Sequence, residues 1–152
     1  MAEVIPNEGL DLILGIFPRG GTNVTTTYLL LCTGATASTV PAQTAVLGTY
    51  TGVAEAGYTS YARVSIAAAS WAAQAAGSGN AAGGRQTGAA QVSFAAAGAS
   101  YATAINFFGL CDISGHGSEK GIFYANFDDV TAVATMAIGD VIKVTPTFGL
   151  LP

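Results

Sequence analysis

A proline inside the last strand-like stretch of the chain, Gly139 to Phe148, constrains the fold more than any other residue. Gly139-Asp140 marks a turn. From Ile142 the side chains alternate, with Ile142, Val144 and Phe148 on one side and Lys143, Thr145 and Thr147 on the other, the period of a half-buried strand. Pro146 shares the inward parity but has no N–H to donate. The strand is therefore expected at a sheet edge, or with a bulge near that residue. A terminal strand also needs a partner, which earlier strands have to supply.

Candidate partners recur along the chain. Thr25 to Cys32 is β-branched and aromatic and ends in a continuous apolar run, which predicts a central strand buried on both faces. Thr103 to Ile113 is the next most apolar stretch, and a polar turn, Ser114 to Gly121, joins it to Ile122–Phe127 in a hairpin. Tyr61 to Ile66 reads as a further strand. Residues 67–76 set helix propensity from alanine against strand-and-turn flanks. A strand around Trp71, paired with 86–94 across the glycine-rich turn 77–84, is the preferred reading, and a short helix is the other. Thr33 to Thr49 is a long connection without periodicity. Near the start, Asn7 reads as an N-cap, and Leu10, Ile13, Leu14 and Phe17 recur at helical spacing over about residues 8–17. That helix either plugs one end of a sandwich or docks on a neighbouring subunit. The 152 residues fit one domain, 1–152: mainly β, an antiparallel β-sandwich or jelly-roll-like fold with a short N-terminal α-helix.

Composition bears on partners. Only 9% of residues are charged, against about 25% in ordinary soluble domains, so much of the surface is expected to be covered by copies or partners. Five basic residues and a net charge of −4 leave no basic stripe for nucleic acid and no polybasic membrane anchor. The first residues lack the pattern of a signal peptide, and no apolar window is long enough to span a bilayer. Cys32 and Cys111 sit in apolar runs and read as buried thiols, with a disulfide as the other possibility.

No residue constellation announces chemistry. The lone histidine, His116, lies in a Gly-Ser turn, and one histidine with two distant cysteines does not make a zinc site. The glycine-rich stretch 77–84 lacks the Gly-Lys-Ser/Thr of a phosphate loop. Asp128-Asp129 lacks the remainder of a calcium loop. Glu55 and Asp112 are acids near strands with nothing to single them out, and Glu119 beside Lys120 reads as a solvated surface pair. These readings predict no enzyme activity, no metal and no cofactor. Leu30, Trp71, Phe107, Ile142 and Val144 are the expected core anchors, with about 3–5 kcal/mol at stake if Trp71 is truncated. Leu10, Ile13, Leu14, Phe17, Tyr50 and Tyr58 are the candidate contacts to other subunits. For the clustered tyrosines Tyr50, Tyr58 and Tyr61, core or interface packing is the preferred reading and sugar binding the competing one.

Val4-Ile5-Pro6-Asn7-Glu8-Gly9 before a short apolar helix, the Tyr28–Leu31 strand, Gly57-Tyr58-x-x-Tyr61-Ala62-Arg63 leading to Trp71, and the terminal Gly139-Asp140-x-Ile142-Lys143-Val144-Thr145-Pro146 occur in that order. Together they resemble a group of small structural proteins of tailed bacteriophages. The resemblance implies a non-catalytic virion protein. A capsid decoration protein that binds the major capsid protein and itself, with a trimer favoured, is the leading expectation. A tail or tail-fibre component, or a carbohydrate-binding sandwich module, is the alternative.

Overall fold

The computed structural model describes residues 3–16, 24–33, 41–49, 53–58, 61–76, 84–96, 98–101, 103–115, 117–126 and 135–150. The elements run β1 (Glu3–Val4), α1 (Asn7–Ile16), β2 (Thr26–Thr33), a 3-10 turn at Leu47–Thr49, β3 (Ala54–Glu55), β4 (Val64–Ala67), a second 3-10 turn at Ala68–Ser70, β5 (Ala75–Ala76), β6 (Arg85–Gly88), β7 (Val92–Ala95), β8 (Ile105–Cys111), β9 (Gly121–Asn126), β10 (Val141–Val144) and β11 (Thr147–Leu150). The fold is mainly antiparallel β with one short N-terminal helix, as the alternation and turn pattern predicted.

The central sheet runs β1-β9-β8-β2, and β3 and β4 share the far side of β2. The two apolar runs expected at sheet centres are neighbours there, and every residue of β8 is buried. Antiparallel register places Leu29, Leu110 and Phe123 in one row across the sheet and Leu31, Phe108 and Ala125 in the next. Because side chains alternate in direction, both rows face the same way. They meet Phe94 of β7 and Ile142 and Val144 of β10 in the larger core, the inter-layer contact of a sandwich. On the opposite face Leu30, Cys32, Phe107, Cys111 and Tyr124 form a second core with Ala45, Leu47 and Val53. The unpatterned 41–49 connection thus covers the sheet, which explains why β2 and β8 are apolar on both parities.

The second layer carries the terminal strand. β10 pairs with β7 and β11 with β6, and the register slips by one residue between Val144–Val92 and Thr147–Gly88. The slip falls at buried Pro146, whose carbonyl accepts from Ala89 N–H at 3.0 Å. β10 and β11 have no further strand partner among the described residues. Both expectations for the proline, edge position and bulge, are met together. Residues 71–76 also take the strand reading: Trp71 bridges Ala89, and β5 pairs with β6. Trp71 itself is only half-buried, its indole N–H donating to Thr27 Oγ1 at 3.2 Å. Its truncation is accordingly expected to cost less than the 3–5 kcal/mol expected for a fully buried ring.

The helix is seated differently from the cap expected at Asn7. Pro6 occupies the cap position, its carbonyl accepting from Gly9 and Leu10, and Asn7 opens the helix with its own N–H given to Gln43 O at 2.7 Å. A donor that lacks an intrahelical acceptor is thereby satisfied by another segment. Gly9 allows α1 to lie on β9, because a Cβ there would fall 2.6 Å from Ile122 O and 2.9 Å from Gly121 O. Glycine to alanine inside a helix normally stabilises by about 1 kcal/mol. Here Gly9→Ala is expected to do the reverse, losing about 1–3 kcal/mol as α1 is pushed off the strand. A urea midpoint that rises instead would show that the helix is not docked on β9.

Candidate functional site

The largest concentration of charge among the described side chains is internal. Arg63, just before β4, reaches a point between Glu55 of β3 and Glu119 of the β8–β9 connection, and its terminal nitrogen lies 2.6 Å from a carboxylate oxygen of each. The side chains of all three are almost wholly excluded from solvent. Arg63 Nε also donates to both oxygens of Glu55, and its other terminal nitrogen donates to Ile113 O at 3.1 Å and Gly115 O at 2.8 Å. All five guanidinium N–H groups therefore have acceptors. Tyr61 O–H donates to Glu55 at 2.7 Å and accepts the Leu31 N–H at 3.1 Å, filling the gap that β3 and β4 leave along β2. Ser118 N–H donates to the second oxygen of Glu119.

Burial alone would pull the Arg63 guanidinium down, but its bonds to Glu55 and Glu119 outweigh this and raise it. Burial likewise raises the Glu119 carboxyl, yet Arg63 and nearby backbone donors carry it below the ordinary 4.5. Two closely spaced carboxylates could in principle act on a glycosidic bond. Here an arginine fills the space between them and solvent is shut out, so the arrangement ties the 113–119 loop to the sheet. Glu119, expected as an exposed partner of Lys120, is instead buried against Arg63, while Lys120 is exposed. The solvated reading fails because Arg63 reaches the β8–β9 connection from beside β4 and pairs with the Glu119 carboxylate out of solvent.

A smaller polar cluster fastens the helix. The Glu8 carboxylate accepts from Leu47 N–H and Gly121 N–H, and burial raises its pKa above the ordinary 4.5. Nearby, the ring of Tyr124 lies over Gly109, where a Cβ would come within 2.7 Å of it. The Tyr124 hydroxyl is buried with no hydrogen-bond partner among the described residues. Tyr124→Phe is therefore expected to raise the unfolding free energy by about 1 kcal/mol, since it removes a desolvated group that gains nothing. A drop of similar size would mean that the hydroxyl is satisfied in solution.

The expected core anchors Leu30, Phe107, Ile142 and Val144 lie buried in the two cores. Cys32 and Cys111 are free buried thiols, with burial pushing Cys111 up to about 12. Of the expected contact residues, Leu10 is exposed, whereas Tyr58 is buried and packs against the rings of Tyr61 and Tyr101 at 5.1 and 5.3 Å. That packing leaves Tyr58 no face for a sugar or a neighbouring subunit. The side chains of Ile13 and Leu14, together with Phe17, Tyr50, His116, Asp128 and Asp129, lie outside the described residues. No group of three or more His, Cys, Asp or Glu among the described residues is placed to hold a metal ion.

A family model described as Podophage GP4 fiber I protein gp80 matches residues 7–147. No curated protein and no solved structure matches the chain.

Proposed function

Because the chain belongs to the podophage GP4 fiber I protein gp80 family, and so to the structural proteins of the tailed-phage virion, we propose that it is a non-catalytic subunit of the tail fibre. In this reading it holds its place by packing against copies of itself and other virion proteins. The family match across residues 7–147 carries the proposal. The internal use of the charged groups supports it: Arg63, Glu55 and Glu119 are spent on holding loops to the sheet and face no substrate. The capsid-decoration reading draws no support from a fibre family. A sugar-binding reading loses its leading residue with the burial of Tyr58.

Copy number tests the assignment. Quantitative mass spectrometry of purified virions is expected to find this chain at a small fraction of the major capsid protein and depleted from tailless heads. Retention on tailless heads at a copy number comparable with the shell protein would favour decoration, and absence from the particle would remove both.

A further inference from the structure

The free edge of a strand is a row of unpaired backbone groups, and β9, Gly121–Asn126, would present one on the side away from β8 if the β1–α1 arm were lifted. The arm closes that side in two ways. β1 pairs with Ala125 and Tyr124. Further along, the Glu8 carboxylate takes the Gly121 N–H, and Gly9 lies so close to the Gly121 and Ile122 carbonyls that a Cβ would strike them. The polar fastening is narrow. One oxygen, Glu8 Oε1, accepts from both Gly121 N–H and Leu47 N–H, so a single atom ties the helix to the strand and to the 41–49 cover. Beside it stands the buried Tyr124 hydroxyl, without a hydrogen-bond partner among the described residues. A Cβ on Gly121 would run into that hydroxyl and stand 2.7 Å from Glu8 Oε1, so the phenol and the carboxylate border one small gap. A desolvated hydroxyl that bonds nothing is a cost carried by the docked arm, and lifting the arm admits water to it.

From this arrangement we infer that the β1–α1 arm is a strap latched by Glu8, which opens as one piece while the sandwich stays folded and bares the edge of β9 when it does. The inference stands apart from the fibre reading. Segments that open locally are those with few fixings, and a two-residue strand pair, one close-packed helical turn and one shared carboxylate are few. The latch also titrates. Burial raises the Glu8 carboxyl, and Asp112 adds to the rise, against the lowering by the two N–H donors and Lys120. Burial keeps Tyr124 a neutral phenol, the 41–49 segment brings no titratable side chain, and Asp11 on the helix itself is exposed. The contribution of Glu8 to docking is therefore complete below the ordinary 4.5 and is lost as pH rises through the higher docked value. The strap is tightest in acid and loosens toward neutrality.

Hydrogen exchange on the full, unmodified chain reads the latch at its own two bonds, because the Gly121 and Leu47 amides are released together when Glu8 leaves. Their protection factors are expected to match each other and to lie about tenfold or more below those of the central β2–β8 pair. The gap should widen between about pH 4 and pH 7 after correction for intrinsic exchange. Glu8→Gln keeps an acceptor but cannot ionise, and it should hold the gap constant over the same range. Gly121 and Leu47 amides as protected as the central pair would overturn the strap, since the arm would then leave only with global unfolding. Clearly different protection at the two would overturn opening as one piece. A gap that widens equally in the parent and in Glu8→Gln would overturn Glu8 as the latch. None of these outcomes depends on where the chain sits in the particle, so virion mass spectrometry can fail while the strap stands, and the reverse.

Discussion

Arg63→Ala is expected to cost about 3–5 kcal/mol, because it leaves two buried carboxylates facing each other without their shared cation. For a chain of this size that corresponds to a melting point lower by roughly 10 °C. Arg63→Lys should recover little, since a lysine ammonium cannot reproduce the forked donation to Glu55, Glu119 and the Ile113 and Gly115 carbonyls. Replacing the whole group, Arg63→Met with Glu55→Gln and Glu119→Gln, should regain most of the loss, as buried ion clusters exchanged for neutral groups often do. A single Arg63→Ala variant as stable as the parent would mean that the cluster is open to water in solution.

Two glutamates give the chain a pH signature, Glu119 in this network and Glu8 in the separate cluster that fastens the helix. Glu119 has its pKa depressed, so its contribution is present above 4.5 and is lost as pH falls through the lower folded value. Glu8 has its pKa raised, so its contribution is complete below 4.5 and is lost as pH rises through the higher folded value. Opposed in this way, the pair places maximum stability in the mildly acidic range. Glu8→Gln should flatten the limb toward neutrality while keeping an acceptor for Leu47 and Gly121, and Arg63→Ala should remove the acid limb. Chemical denaturation across pH 3–8 reads both. A wild-type profile that rises steadily to neutrality would contradict the Glu8 assignment.

Phe107→Ala is expected to cost about 3–5 kcal/mol, the ordinary range for deleting a fully buried ring. Phe107 meets Tyr124 edge-on at 6.0 Å in the core beneath the 41–49 segment. Its loss should therefore open that covering layer before the sandwich itself, and hydrogen exchange should quicken first at Ala45 and Leu47. Lys143→Ala on the exposed side of β10 is the control, expected within about 0.5 kcal/mol of the parent. Equal effects from the two would refute the second core.

These effects divide between what local pattern encodes and what it does not. The continuous apolar run at 29–31 and the largely apolar stretch Thr103 to Ile113 identified the two central strands, and alternation broken by Pro146 located the slipped edge strand. Both are properties of a few adjacent residues. The pairing of 71–76 with the strand after them was legible for the same reason as far as Ala89, but the expected partner run 86–94 divides there, and Val92–Ala95 pairs with β10 instead. The ion cluster was not legible. Arg63 and Glu119 are 56 residues apart, and Glu119 stands next to Lys120, which imitates a solvated pair. The available hint was scarcity: in a chain this poor in charge, an arginine at strand parity beside Tyr61 has little reason to be there unless buried acids need it. Tyr58 misled as a candidate contact through its company, because tyrosines near one another in sequence suggest a surface cluster as readily as the packed one that Tyr58 forms with Tyr61 and Tyr101. The covering role of 41–49 left no periodic trace, since its anchors Ala45 and Leu47 stand in a short mixed stretch, Pro41 to Thr49, too brief and irregular to show a period.

The central claim, that this chain is a fibre building block, is tested most directly by labelling it on the intact particle. Immunogold electron microscopy with antibody against the purified chain should place gold along the tail fibres and leave the head bare. Gold distributed over the capsid surface, or particles that never label although the antibody binds disrupted virions at the expected mass, would contradict it.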